Sequence, residues 1–352
     1  MKSIKWTLSP ASQLSSRWSQ AWDQLNDRAG ALPFLTSDVM LAALTHFGSG
    51  KELLAVGTRA GETVAMALLT RKSAIAWESF QPSQIPLGAY LQLTELRVDE
   101  LAATLLQALP KPALMLGLTQ LDPLWITRPP TAATTTTIDY IDTAWVNITG
   151  SFDDYWAARG KNLRQNMRKQ RNKLEAEGIT PRLEILTTPD SISSAIVDYG
   201  RLESAGWKAE IGTAVQLDNA QGRFYQQILE HACQRGEGIV YRYGFGDKVV
   251  AVDLCVKHRG ALVILKTTYD ENYKAVSPAF LMREESFRLL FAEGAIKRIE
   301  FFGKMMEWHT RWTEHHRRLY HLTQYRWSWL RYLKDKVQRG PASPATETGT
   351  PP

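Results

Sequence analysis

Residues 238–268 constrain the fold of this chain more than any other stretch. Three runs rich in Val, Ile, Leu and Tyr, at 238–245, 248–257 and 261–268, are separated by Gly246-Asp247 and by His258-Arg259-Gly260. Short apolar runs joined by Gly-containing turns close most simply as hairpins, so they predict an antiparallel three-stranded meander. A strand at 182–186 precedes it, then a helix opened by Pro189-Asp190 and running to about 205. A second helix, at 217–234, carries Phe224, Ile228, Leu229 and Ala232 on one face. After the meander, Ser277-Pro278 pairs a capping residue with Pro at the first helical position. That helix carries Leu281, Met282, Phe287, Leu290 and Phe291 and stops at Gly294. A strand at 296–302, a short helix at 306–316, a strand at 319–327 and an aromatic basic helix at 328–337 complete the half.

The same order recurs upstream. A strand at 4–8 is followed by helices at 13–26 and 37–47 and strands at 53–58, 63–71 and 74–80, with Ala60-Gly61-Glu62 as a turn. A helix at 99–109 and a strand at 113–118 follow. The repeat is one of element order, not residue identity, and it predicts two units, 1–148 and 149–338. Ser151, with Asp153 and Asp154 in the first turn, caps a helix that ends at Gly178. Residues 128–137, with two prolines and five threonines, read as a linker or edge region. Residues 339–352, rich in Pro, Ser, Thr and Gly, read as a disordered tail.

Several classes of function drop out. No apolar run approaches the roughly 18 residues a membrane span needs. The candidate at 248–256 is broken by Asp253. The N-terminus is charged but has no apolar core of a signal peptide, which predicts a cytoplasmic protein. The two cysteines, Cys233 and Cys255, read as buried free thiols. Neither CxxC nor HExxH occurs, and no metal is expected. GxGxxG, GxxxxGK[ST] and GxSxG are absent too. The excess of 42 Lys+Arg over 36 Asp+Glu is local. Arg159, Lys161, Arg164, Arg168, Lys169, Arg171 and Lys173 form one block without an acid, and basic residues outnumber acids again from 304 to 339. Such blocks suit phosphates, anionic membrane or nucleic acid, or are solvated helix faces.

Three motifs carry a family resemblance. The stretch from Lys266 through Tyr269-Asp270 and Tyr273 to Ser277-Pro278-Ala279-Phe280-Leu281 resembles a signature of the CelD/FemAB-like acetyltransferase branch of the GNAT superfamily. Glu203-Ser-Ala-Gly-Trp207-Lys208, followed by Gly212, resembles a second motif of that branch. Glu300-Phe-Phe-Gly303 with Glu307-Trp308-His309-Thr-Arg311-Trp312 resembles a third. The resemblance covers about 150–330 well and the N-terminal half more loosely. It implies an α/β (α+β) tandem GNAT-like acyltransferase fold, with mixed, mainly antiparallel sheets flanked by helices. It also implies acyl-CoA (acetyl-CoA or longer) as co-substrate, with its pyrophosphate at the start of the helix after the third meander strand. Backbone N–H groups and the helix dipole attract phosphate there. Two positions depart from the family pattern: Ala279 stands where Gly is usual, and His309 where Lys is usual.

The resemblance assigns expected roles. Ser277, Ala279, Phe280 and Leu281 bind the co-substrate, the last three through their amides. Asp270, Glu300 and His309 are candidate bases, and Tyr273 and Tyr269 candidate proton donors to the leaving thiolate. Trp207, Lys208, Lys266, Tyr269, Trp308 and Trp312 bind the acceptor. Each has a plainer alternative: a turn residue for Asp270, an exposed helix residue for His309, core packing for the aromatics. The leading function is acyl transfer to a sugar, amino sugar or lipid amine in cell-envelope or exopolysaccharide synthesis. A transferase using aminoacyl-tRNA, like the FemABX enzymes, and a non-enzymatic binding protein on a degenerate GNAT domain are the alternatives. Trp308, Trp312, Trp327 and Trp329 beside the second basic block favour a lipid-linked acceptor and peripheral contact with an anionic inner-membrane face over nucleic acid.

Overall fold

The computed structural model describes residues 4–204 and 215–338. The N-terminal half runs β1 (Lys5–Pro10), α1 (Ser19–Arg28), α2 (Ser37–Phe47), β2 (Leu53–Arg59), β3 (Glu62–Arg71), β4 (Ala76–Ser79), β5 (Tyr90–Gln92), α3 (Val98–Ala108), β6 (Met115–Leu121) and β7 (Thr135–Asn147). The C-terminal half runs α4 (Phe152–Ala157), α5 (Lys161–Ala176), β8 (Pro181–Leu186), α6 (Pro189–Ser204), α7 (Ala220–Gln234), β9 (Gly238–Phe245), β10 (Lys248–His258), β11 (Ala261–Tyr269), α8 (Pro278–Glu293), β12 (Arg298–Glu300), α9 (Glu307–Thr310), β13 (His316–Tyr325) and α10 (Ser328–Gln338). The meander is present, its second turn made by Arg259 and Gly260 in left-handed backbone.

The strands form one path, β1-β2-β3-β4-β6-β13-β7-β12-β11-β10-β9-β8. Each half repeats one pattern: antiparallel neighbours, then a parallel pair, β4 with β6 and β11 with β12. The seam departs from the two-unit division. β13, from the C-terminal half, pairs with β6, while the end of β7, from the N-terminal half, pairs with β12. β7 and β13 also pair with each other, so the halves exchange their last strands. Thr135–Thr137, expected in a linker or edge, lie in the middle of the sheet. Threonine is β-branched, and a threonine run fits a pleated strand as readily as a loop.

Helices α1, α2, α6 and α7 contribute to one core shared by both halves, with Trp22, Phe34, Tyr199 and Phe224 fully buried. On the other side, α3 covers β6 and β13, and α4, α5 and α8 cover the C-terminal strands. Cys233 and Cys255 are buried free thiols. The helix expected from Ser151 to Gly178 is two helices, broken at 158–160 before Gly160, which caps α5. The helix expected at 306–316 shrinks to the single turn of α9, because His316 already begins β13.

Candidate active site

Two local devices open a space beside β11. Leu265 has no register partner on β10: Leu254 faces Lys266, but Cys255 faces Ile264. Such a bulge bends the strand and increases its twist. β12 pairs with β11 only through Ala261–Val263 and ends at Glu300, and the chain then turns away at Phe302, held at a positive φ of 50°. Residues 264–269 therefore continue without β12. The gap is a cavity of about 420 Å³ lined by the end of α6 (Leu202, Glu203), by Thr267–Tyr269, by the following turn (Glu271, Lys274, Ser277), by α8 (Ala279, Phe280, Arg283) and by Trp308.

The wall holds a buried ion pair. Arg283, 2% exposed, faces Asp253 of β10 at 3.3 Å, and its Nη2 donates to Thr267 Oγ1 at 2.9 Å. Its guanidinium also lies 4.5 Å from the Trp308 ring. Burial pushes the Asp253 carboxyl up, opposed by Arg283 and the Thr267 hydroxyl. Arg283 Nε is buried without a hydrogen-bond partner among the described residues. Beside this pair, Glu203 is 4% exposed. The Tyr199 hydroxyl lies 3.3 Å from both Glu203 Oε1 and the Thr267 carbonyl, and the Val215 amide donates to Glu203 Oε2 at 2.8 Å.

The helix start differs from the expected cap. Ser277 sits in left-handed backbone (φ 47°), and its Oγ accepts from Gln170 of α5 at 3.0 Å instead of capping α8. Of the three amides expected to meet phosphate, those of Phe280 and Leu281 donate to the Ser277 carbonyl at 2.9 and 3.2 Å. Ala279 is the one not committed to that carbonyl. The Leu281 side chain is fully buried in the core.

The structure brings Ser277, Ala279, Phe280, Tyr269 and Trp308 to the cavity. It leaves the four expected catalytic residues outside the lining. Asp270 caps the turn Glu271–Val276 by accepting from the Asn272 amide at 3.0 Å, and pairs with Lys248 at 2.9 Å. Burial raises its pKa, but Lys248 and Asn272 outweigh that and hold the carboxyl below its usual range. Tyr273 packs on Phe245, with Lys248 4.8 Å from its ring. Glu300 lines a separate cavity at the seam and is paired with Arg317 at 2.9 Å, which itself holds Asp122. His309 is buried behind Trp308, stacked on it and edge-on to Phe301. Its Nδ1 accepts from the Met306 amide at 2.9 Å, which places the ring proton on Nε2. Burial, then the nearby Arg283 charge, lowers its pKa from 6.5 to about 4.

Trp312 is a core residue, fully buried against Phe280 and Phe287. Lys266 turns from the cavity lining toward Tyr225, 5.6 Å from its ring. Trp207 and Lys208 lie outside the described residues. The residues to which sequence reasoning gave no role are Glu203, which opens the second motif, and Asp253, Arg283 and Lys274. Asp253 carried a signal, as a lone acid inside an apolar strand, because a buried charge needs a partner.

Residues 161–321 match a family model described as an acetyltransferase (GNAT) domain. No curated protein is significantly similar to the chain. Among solved structures, a conserved protein of unknown function from Bacteroides thetaiotaomicron is similar over 92% of this chain and 100% of that one, with a TM-score of 0.55 at 9% identity. The C-terminal domain of a putative lysylphosphatidylglycerol synthetase from Agrobacterium fabrum is similar over 78% of this chain and 84% of that one, with a TM-score of 0.51 at 11% identity. FemX is similar over 80% of this chain and 90% of that one, with a TM-score of 0.50 at 8% identity. At such identities the likeness concerns the fold, a mixed α/β GNAT-like fold with helices on both sides of the sheet.

Proposed function

We propose that the chain is an acyltransferase of the CelD/FemAB-like branch, moving an acyl group from acyl-CoA to an amine or hydroxyl of an envelope sugar, amino sugar or lipid. One observation carries this reading: the cavity opens where β11 outruns β12, inside the segment that matches an acetyltransferase domain. The residues present suit the co-substrate. Lys274, the Ala279 amide and the start of α8 offer positive potential to phosphate. The Arg283 guanidinium on the wall adds positive potential beside the place an acyl oxygen would take. A cavity of this size takes the acyl group and the thiol arm, with the nucleotide end left toward α5. Thermal shift with acetyl-CoA, a long-chain acyl-CoA and free CoA tests it. A ligand at a hundred times its Kd adds about 2.7 kcal/mol. No shift with any of the three defeats the reading.

A second reading, transfer from aminoacyl-tRNA, is supported by α5. Its exposed face carries Arg164, Arg168, Lys169 and Lys173, and Gln170 ties it to the turn before α8. It requires tRNA binding that weakens steeply with salt, and no response to acyl-CoA. Peripheral membrane contact is supported by the exposed Trp327, Trp329, Tyr332 and Leu333 at α10. Absence of pelleting with anionic liposomes at low salt counts against it.

A further inference from the structure

We propose that Glu203 is the base that takes the acceptor's proton, an assignment that rests on the transferase reading above. The four residues that sequence reasoning offered for catalysis line no part of the cavity, and its walls contain two carboxylates among the described residues. Glu271 is exposed on the turn. Glu203 is buried at the end of α6, and the Tyr199 hydroxyl ties it to the Thr267 carbonyl of β11, on the stretch that β12 no longer covers. The carboxylate therefore sits against the strand segment along which the acyl group would lie. It is held there by the Tyr199 hydroxyl and the Val215 amide. Asp253, the other buried acid nearby, pairs with Arg283 and does not line the cavity.

The chemistry balances within the named reactants. A neutral acceptor's N–H or O–H proton passes to a Glu203 oxygen while its lone pair forms the new bond to the acyl carbon; a protonated amine first gives its extra proton to Glu203, which frees the lone pair, and sheds a second proton to water after attack. The thioester C–S bond breaks with its electron pair on sulfur, and the thiolate takes a proton from water. With an acceptor already unprotonated and strongly nucleophilic, the base matters little; with a protonated amine it is required.

The test uses the full chain, acetyl-CoA as donor, and three acceptors: ethanolamine, hydroxylamine and water. At about pH 7.5 hydroxylamine is neutral and ethanolamine protonated. Glu203→Gln keeps an oxygen for the Val215 amide and loses the basic group. It should lower kcat/KM with ethanolamine by about 10²–10³-fold and with hydroxylamine by less than about fivefold. The acid limb of the pH profile should vanish, with Tm and acetyl-CoA affinity unchanged. Equal losses for both amines with a lowered Tm would assign Glu203 to holding Val215 and overturn the proposal. So would ethanolamine rates within threefold of wild type. Acetyl-CoA that binds the wild-type protein but reacts with none of the three acceptors also overturns it, since a base beside a bound thioester activates water at least. A wild-type protein that binds no acetyl-CoA takes down the transferase reading as well.

Discussion

The two halves part their parallel strands in the same way and then treat the gap differently. β4 pairs with β6 through Ala76–Glu78, as β11 pairs with β12 through Ala261–Val263. In the C-terminal half the chain makes the short turn Glu271–Val276 and enters α8, leaving about 420 Å³. In the N-terminal half residues 80–97 intervene before α3, and the segment returns as β5 against β3. It places Gly88 between Ser79 and Thr119, and the Gly88 amide donates to the Thr119 carbonyl at 3.2 Å. What remains there is about 20 Å³. The linings differ as well: the filled gap is lined by an acid, Asp122, whose partner Arg317 stands outside it, whereas the open one is lined by the arginine, Arg283, with Asp253 behind it. A repeated fold thus says nothing about repeated chemistry. The filled gap contributes core, and the open one leaves a cavity.

The sharpest way to break this contrast is to remove its charge. Arg283→Met leaves Asp253 buried without its cation and should cost about 3–5 kcal/mol in urea unfolding. Adding Asp253→Leu should return most of that, because a buried pair replaced by apolar residues is often neutral. A single-variant loss below about 1 kcal/mol would mean the pair is effectively solvated, and the open gap would no longer be lined by a desolvated arginine.

The C-terminal wall should also respond to pH. His309 has a folded pKa of about 4, below its ordinary value of 6.5, so the unfolded chain binds the proton first. Its contribution is complete above about pH 6.5 and is lost as pH falls toward 4. A shift of this size corresponds to at most about 3 kcal/mol. Comparing urea stability at about pH 7 and pH 5 in wild type and His309→Gln isolates it. The variant keeps an oxygen for the Met306 amide and should show the shallower pH dependence. Equal slopes would show that the imidazole is hydrated.

The filled gap has its own test. A Cβ on Gly88 would lie 2.5 Å from both Ser79 Oγ and the Thr119 carbonyl oxygen. Gly88→Ala should therefore destabilise by about 1–3 kcal/mol through overpacking. Acetyl-CoA affinity should stay unchanged. A harmless substitution would show that 80–97 only drapes over the gap; a change in affinity would show that the N-terminal half takes part in the site.

Much of this architecture was legible because its signals are local. Gly260 and Gly246 mark the hairpins, Ser277-Pro278 the start of α8, and apolar periodicity the faces of α7 and α8. β7 was not legible: a run of threonines beside Pro129 and Pro130 looks like a linker, and only pairing with β13, far along the chain, makes it a central strand. The site divides the same way. The motif ending in Ser277-Pro278-Ala279-Phe280 placed the cavity mouth, and Trp308 and Tyr269 fell on its wall. The expected bases did not, because a strand end in sequence does not say which side of the sheet a carboxylate faces. Arg283 meets Asp253, and shares the cavity wall with Glu203, only through the packing of α6, β10 and α8, which no spacing in the chain records.

The smallest effect tests the mouth of the open gap at Ala279. Its methyl group lines the cavity at the first turn of α8, beside the one expected phosphate-facing amide that Ser277 does not occupy. Ala279→Gly removes that methyl and lets a phosphate approach the backbone more closely. It also places glycine inside a helix, which costs about 0.5–1 kcal/mol. The substitution should therefore move two observables in opposite directions: KM for acetyl-CoA down about threefold, Tm down by one or two degrees. A lower Tm with an unchanged KM would put the anionic end of the donor elsewhere, with α5 and Lys274 as the cations to examine. The open gap would then keep its role for the acyl group while the helix start became, like its N-terminal counterpart, a structural element.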